Sequence, residues 1–282
     1  MRKIGIILVN FNGLQDTIEC IQSVYKSDYN NYLIIVIDNA SKEDASVLNT
    51  YSNVLYIKLD SNVGFGVANN IGADKAIECG CELLLCLNND TVIESDTLTF
   101  LERNTTDKTI TTGAIYYFSD RKKLWYGGGE VSRFKGNFRH KDYCNTRSVS
   151  FVSGCCIMLT SGCYKNIGLF DPAYFMYYED SDFSLKAILN GYELKYIYEA
   201  RIYHKVGKSI NKTVGLKDYY LTRNRLYILK KYKRYFYLTA IVYFYLTRGL
   251  YIVKNFFVKN ETWPFFEGIH DFKKNFMGAR KE

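Results

Sequence analysis

Apolar residues occur along this chain in short unbroken runs, separated by segments of helical period. Lys3–Val9, Tyr32–Ile37, Val54–Leu59 and Leu83–Leu87 are rich in Ile, Leu and Val and show no alternation. Leu83–Leu87 reads as a strand buried on both faces, Tyr32–Ile37 as a second of that type, and the other two runs as strands. Between the first two, Leu14, Ile18, Ile21, Val24 and Tyr25 fall three and four residues apart and predict an amphipathic helix. After the third, Asn62-Val63-Gly64-Phe65-Gly66 opens a second helix that runs to about Cys79. Strands alternating with helices predict βαβ units and a parallel sheet.

Three of these strands end on polar clusters: Asn10-Phe11-Asn12-Gly13, Asp38-Asn39-Ala40-Ser41 and Asn88-Asn89-Asp90-Thr91. One such cluster is ordinary turn chemistry. Three at one sheet edge suggest a polar ligand, because open α/β sheets bind ligands beyond the carboxyl ends of their strands. Asp38 is placed to accept from a base N–H or from ribose hydroxyls. Gly64 and Gly66 would let backbone approach a phosphate in front of a helix N-terminus. Asp90 can hold a divalent cation against a diphosphate, since hard cations take oxygen ligands. On the local pattern alone, Asn88, Asn89 and Asp90 serve equally as turn formers. Gly64–Asn69 carries Asn where the dinucleotide fingerprint wants its last Gly, and it follows the third strand, so that motif is set aside.

Beyond Asp96 the period is less regular. Thr109–Tyr117 reads as a strand, and the Gly-rich, polar stretch from Trp125 to Lys141 reads as a hairpin or flap. Val149–Ser153 and Cys155–Thr160 are apolar around Gly154. Then Tyr174-Phe175-Met176-Tyr177-Tyr178 leads into Glu179-Asp180-Ser181-Asp182, at the mouth of a helix predicted from about Ser181 to Asn190, with Gly191 as its stop. Acids in a first turn favour the helix dipole, which explains one or two of the three. An aromatic wall beside them suits sugar rings, and desolvation there raises a carboxylate toward the range of a useful base. His204 follows a strand-like Tyr196–Tyr203 and reads as a hydrogen-bonded residue or a metal ligand.

The composition sharpens this reading. A chain of 282 residues, 48% of them hydrophobic, can bury one large core or two small ones. The eight cysteines lack paired ligand spacing and several lie in apolar runs, so they read as buried thiols, neither disulfides nor a zinc site. The amino terminus enters a strand almost at once and has no signal-peptide pattern. The charge is uneven: residues 216–282 hold 14 Lys/Arg and 5 Asp/Glu, a net +9, against a net −1 for the rest. The basicity therefore belongs to the tail. There Lys230-Lys231-Tyr232-Lys233-Arg234 precedes Tyr235–Thr247, thirteen residues without charge that end before Arg248. That run is short for a spanning helix and suits one lying at an anionic membrane surface, or one packed on the main domain.

Taken in order and spacing, these stretches resemble the family 2 glycosyltransferases, and among them the bacterial rhamnosyltransferase-like branch, over roughly residues 3–235. The resemblance rests on Val9-Asn10-Phe11-Asn12-Gly13, Asp38-Asn39-Ala40-Ser41, Asn62-Val63-Gly64-Phe65 with Asn69-Asn70-Ile71-Gly72, Leu87-Asn88-Asn89-Asp90, Gly168-Leu169-Phe170-Asp171, Glu179-Asp180-Ser181-Asp182 and His204. It implies an α/β GT-A fold: a Rossmann-like, mostly parallel sheet with the nucleotide-sugar site at the strand carboxyl ends, followed by a helical tail. Residues 1–215 would form the catalytic domain, 1–100 binding nucleotide and 101–215 binding acceptor; 216–282 would be the basic tail. The implied reaction is inverting transfer of one sugar, rhamnose or a similar hexose, from a nucleotide-diphospho-sugar to a saccharide. That acceptor is expected to be polyprenyl-linked, for cell-surface polysaccharide, at the cytoplasmic face of the membrane. No nucleic acid is expected as a partner.

By the same resemblance Asp180 is the general base. Asn10, Asn12, Asp38, Asn62, Gly64, Asn69, Asn88 and Asn89 bind the donor. Gly154, Tyr178, Glu179 and Asp182 bind the acceptor, and Asp90 and His204 hold Mg2+ or Mn2+. Asn88 stands where the family's metal motif has its first acid. Without that carboxylate, a cation would lean on Asp90, His204 and the substrate phosphates. Two other classes are weighed against this reading: a nucleotide-sugar-binding subunit without turnover, and a nucleotidyltransferase, which would carry a Gly-rich loop after its first strand where this chain has Asn10-Phe11-Asn12-Gly13.

Overall fold

The computed structural model describes residues 1–206, 215–256 and 263–280, with the backbone alone for 251–256. The first half alternates strand and helix: β1 (Ile4–Asn10), α1 (Leu14–Val24), β2 (Tyr32–Asp38), β3 (Val54–Lys58), α2 (Phe65–Glu78), β4 (Leu83–Leu87), β5 (Thr91–Ile93) and α3 (Thr97–Asn104). The second half carries β6 (Thr109–Tyr117), β7 (Asp120–Tyr126), β8 (Gly129–Ser132), β9 (Asn137–His140), β10 (Arg147–Val149), β11 (Cys156–Thr160), α4 (Ser161–Ile167), α5 (Glu179–Leu189) and β12 (Glu193–His204). The tail contributes α6 (Leu216–Lys231), α7 (Leu238–Phe256) and α8 (Trp263–Lys273).

The main sheet runs β10-β12-β6-β11-β4-β1-β2-β3, and β8 pairs with β9 as the predicted hairpin. Neighbours β4, β1, β2 and β3 are parallel, as are β6 and β12; β11 joins the two halves antiparallel to β4 and β6. In β1, β2 and β4 the unbroken apolar runs are explained by burial on both faces, whereas β3, at the sheet edge, is only partly buried. In β4, Leu83, Leu85 and Leu87 belong to one core while Leu84 and Cys86 belong to the other. Helix α1 covers the first face with Cys20, Ile21 and Val24, and α2 covers the second with Ala68, Ala73 and Ala76. The small residues of α2 are required by close approach: a Cβ on Gly72 would stand 2.4 Å from Ile7 Cγ2. All eight cysteines are free, and only Cys144 is exposed.

Helix α5 begins at Glu179, two residues before the predicted start, so all three acids lie within its first turn. The tail is less separate than its charge suggests. Leu226, Ile228 and Leu229 of α6 share a core with Leu185 of α5, Phe236, Ala240, Phe244 and Phe265. Helix α7 also continues past Arg248, where the uncharged run ends. A single charged side chain on a helix surface reaches water and costs little, and even Gly249 after it lies within the helix.

Candidate active site

The parallel strands bring their carboxyl ends to one edge, where Asn10 of β1 stands beside Asp38 of β2 and Asn88–Asp90 follow β4. A cavity of about 370 Å3 opens there. Asn39, Asn62, Gly64, Asn88, Asn89 and Asp90 line it from the strand ends, together with Trp125, Gly154, Glu179, Asp180 and His204.

Several residues expected to touch the donor brace this edge from beneath and do not line the cavity. Asn10 Oδ1 accepts from Gly13 N–H and from Thr17 Oγ1, and its Nδ2 donates to Ser41 Oγ. Asp38 is fully buried; its Oδ1 accepts from Ser41 N–H at 2.9 Å and its Oδ2 from Tyr56 OH at 2.7 Å. Asn12 is exposed, with Oδ1 accepting from Lys42 N–H, and Asn69 Nδ2 donates to Phe65 O within α2. A buried carboxylate needs donors of its own, and the 38–41 turn supplies them. The neighbouring amides face the cavity instead. Asn39 Nδ2 donates to Asn62 Oδ1, which also accepts from Gly64 N–H. Gly64 has φ +86°, and a Cβ there would stand 2.5 Å from Phe175 O, so this junction of α2 with the 170s loop requires glycine.

Asp180 sits in the first turn of α5 and on the cavity wall. Gly154 N–H donates to its Oδ2 at 3.0 Å and Ser181 Oγ to its Oδ1 at 3.2 Å. Burial raises its pKa, against the pull of the Gly154 and Ser181 N–H groups and of His140. Glu179 is pushed up to about 8, first by burial and then by the charge of Asp180; its Oε2 has no hydrogen-bond partner. Tyr178 and Asp182, expected to meet the acceptor, do not line the cavity. The Tyr178 ring packs edge-on to Phe138, and the Asp182 carboxylate pairs with Lys231 of α6 at 2.7 Å. A fully buried carboxylate is retained where a cation is brought to it, and α6 brings one.

The raised Glu179 has a consequence for stability. Its folded-state pKa of about 8 lies above its ordinary 4.5, so the folded state holds the proton longer than the unfolded one. The stability it contributes is complete below about pH 4.5 and is lost as pH rises toward 8. The ligand-free melting temperature is expected to fall across that window, and Glu179→Gln to flatten the fall; parallel wild-type and variant curves would contradict the assignment.

His204 ends β12 with Nε2 3.1 Å from Asp90 Oδ1. Lys205 fixes this pairing: its N–H donates to Asp90 O, and its ammonium is held by Asp16 and Glu19 of α1. Asn88 Oδ1 is buried without a hydrogen bond, Asp90 Oδ1 accepts no well-directed one, and His204 Nδ1 also lacks a partner. Two unspent oxygens beside an imidazole fit a hard cation, and a separation near 3 Å is about that of neighbouring ligands in octahedral geometry with bonds of about 2.1 Å. No cluster of three or more His, Cys, Asp or Glu suited to a metal occurs among the described residues. These residues would supply only part of a cation's shell, the rest falling to phosphate and water. Trp125, predicted in the hairpin or flap, lies instead in β7, paired with β6, and stands edge-on to His204 at 4.9 Å.

Residues 5–168 match the family model described as glycosyl transferase family 2. The chain belongs to that family. Among family relatives, it is 21% identical over 241 residues to the dTDP-rhamnosyl transferase RfbF of Shigella flexneri, covering 81% of this chain and 80% of that protein. It is 24% identical over 196 residues to the low-salt glycan biosynthesis hexosyltransferase Agl10 of Haloferax volcanii, covering 65% of this chain and 61% of that protein's length. Its fold is shared with the mannosyltransferase PcManGT of Pyrobaculum calidifontis, solved with GDP-Man and Mn2+: TM-score 0.60 at 13% identity, covering 95% of this chain and 73% of that one. This is the GT-A glycosyltransferase fold that the sequence resemblance implied.

Sequence reasoning assigned Asn39, Trp125 and Lys205 no role. Asn39 lay beside the favoured Asp38 in the same cluster. Trp125 gave a usable signal, as a large aromatic side chain in a Gly-rich polar stretch. Lys205 gave none, since its partners lie in α1, far away in sequence.

Proposed function

We propose that this chain is an inverting glycosyltransferase that moves one hexose, rhamnose or a close relative, from a nucleotide-diphospho-sugar to a hydroxyl of a lipid-linked saccharide. What supports it most is that Asp180 lines the same cavity, at the carboxyl ends of the parallel strands, as Asn39, Asn62, Asn88 and Asp90. In the reaction, the acceptor oxygen forms a bond to the anomeric carbon as the bond from that carbon to the diphosphate oxygen breaks. The electron pair leaves with the diphosphate, and the hydroxyl proton passes to Asp180. Glu179 beside it, kept protonated by burial, adds no second negative charge below about pH 8. Asn88, Asp90 and His204 would hold a divalent cation, which neutralises charge on the diphosphate when bound. Gly154 N–H keeps Asp180 aimed into the cavity. The relationship to RfbF supports rhamnose, and the fold's occurrence with GDP-Man and Mn2+ in PcManGT supports the donor class and the cation.

Calorimetry against dTDP-, UDP- and GDP-sugars tests the donor site. One nucleotide series should bind in the cavity, and Asn39→Ala should weaken it by about tenfold, as expected when a hydrogen bond of about 1.5 kcal/mol is lost. Absence of binding by every donor, with and without Mn2+, would remove the basis of the reading.

The lipid-linked acceptor and the membrane surface are supported by α7. Leu238, Ile241, Val242, Tyr245, Leu246 and Leu250 are exposed and recur at the spacing of one helix face, and exposed Lys233 and Arg234 precede them. No helix among the described residues is long and apolar enough to cross a membrane, so the face would lie on the surface. The protein is expected to sediment with vesicles containing anionic lipid. Leu246→Glu with Leu250→Glu should release it, and Lys233→Ala with Arg234→Ala should weaken it by about 1 kcal/mol per charge. Equal binding by all three proteins would overturn the membrane assignment.

A further inference from the structure

Two consecutive aromatic residues immediately before α5 adopt the left-handed conformation, Tyr177 with φ +65° and Tyr178 with φ +74°. Left-handed backbone is unfavourable for a non-glycine residue and persists only where its surroundings hold it. The holding group comes from the tail. Asn224, fully buried in the middle of α6, donates both protons of its amide, one to Met176 O and one to Tyr177 O, each at 2.8 Å. Its Oδ1 accepts from Arg223 Nε at 3.0 Å, so every strong hydrogen-bonding position of the two amide protons is used and the amide cannot flip without breaking all three bonds. Arg223 is itself fully buried, stacked against Tyr219 and Tyr220 and donating through Nη1 to Tyr219 OH. At the far end of the same turn, Tyr178 O accepts from Asp182 N–H as the first bond of α5.

We propose that Asn224 is a positioning residue for catalysis: it splints the left-handed Tyr177–Tyr178 turn and thereby fixes the direction in which α5 presents Asp180 to the cavity. The proposal rests on Asp180 being the base. Asn224 touches neither substrate nor the reacting atoms; it acts through two carbonyl groups and one turn. The tail that the sequence marks off by charge is, through α6, part of what builds the active site. Removing the splint lets the turn relax toward ordinary backbone angles. The first turn of α5 then swings, the Gly154–Asp180 hydrogen bond loosens, and water reaches both Asp180 and Glu179.

The test compares Asn224→Ala and Asn224→Asp with wild type and with Asp180→Asn, all normalised to folded protein by circular dichroism. Asn224→Asp keeps the shape but faces the two carbonyls with acceptors, so it serves where the alanine variant does not fold, and the alanine variant serves in the opposite case. Both are expected to lower kcat by about 10–100-fold, the scale of a misplaced catalytic group, with donor Kd within about threefold of wild type. The acid limb of the kcat–pH profile should move to lower pH, because water relieves the burial that holds Asp180 and Glu179 up. A merely structural role would lower the folded fraction and leave both kcat per folded molecule and the acid limb where they were; that result overturns the proposal. If Asp180→Asn is inactive while the Asn224 variants are normal, the positioning role alone has failed. An active Asp180→Asn enzyme would locate the failure in the assignment of the base.

Discussion

Asp180→Asn should lower kcat by about 10²–10⁴-fold, the usual contribution of general base catalysis, while leaving donor affinity within about twofold. A sugar hydroxyl is a poor nucleophile near neutral pH, so its proton must leave as the new bond forms. Among the three acids at the mouth of α5, position and partners separate the roles. Asp182 is fully buried and paired with Lys231. Glu179 is held protonated to about pH 8. Asp180 lies on the cavity wall with Gly154 N–H and Ser181 Oγ holding its carboxylate. Asparagine keeps an oxygen for Gly154 N–H, so the loop should stay in place and the loss should fall on kcat. Glu179→Gln should retain most turnover, and Asp182→Asn should act mainly on stability by leaving Lys231 without its buried partner. Normal turnover by Asp180→Asn beside an inactive Glu179→Gln would move the base one residue along the chain.

Asp90→Ala should weaken the cation-enhanced binding of a nucleoside diphosphate by at least about 100-fold, since loss of an outer-shell partner already costs 10–100-fold in metal affinity. The expectation follows from how little the protein contributes. Asn88 would offer a cation only an amide oxygen, so Asp90 is the one carboxylate among Asn88, Asp90 and His204. Lys205, held by Asp16 and Glu19, fixes the backbone on both sides of the pairing and should keep the fold intact in the variant. His204→Ala should cost less, because imidazole brings no negative charge. Calorimetric titration of the diphosphate with and without Mn2+ reads both effects. Equal enhancement by Mn2+ in wild type and Asp90→Ala would place the cation elsewhere or make binding independent of it.

The strands were legible because burial on both faces leaves an unmistakable pattern. Leu83–Leu87 can be apolar at every position only where both sides of β4 are covered, and they are. The polar strand ends were legible as a group, and the acids of α5 as a cluster. The division of labour within each group was not. Asp38 and Asn39 are adjacent and equally polar, and only the turn geometry decides that Asp38 points to Ser41 N–H and Tyr56 OH while Asn39 lines the cavity. Asp182 differs from Asp180 in the same way, through a lysine 49 residues later in the chain. The structural part of α6 was hidden for a related reason. With Tyr219, Tyr220, Arg223, Asn224 and Ile228 all buried, that helix has no single apolar stripe to betray which face is inside. Its charge was legible, but a buried guanidinium over two tyrosine rings and an amide clamped on two carbonyls look, in sequence, like solvent-facing residues.

Transfer of a hexosyl group from a nucleotide-diphospho-sugar, with Asp180 taking the proton, is tested by product analysis after incubation of wild type and Asp180→Asn with the bound donor, Mn2+ and a lipid-linked saccharide. Wild type is expected to release nucleoside diphosphate in step with formation of a glycoside of inverted anomeric configuration, and Asp180→Asn to release neither above background. Release of pyrophosphate, a product of retained configuration, or equal turnover by the Asp180→Asn enzyme would contradict it.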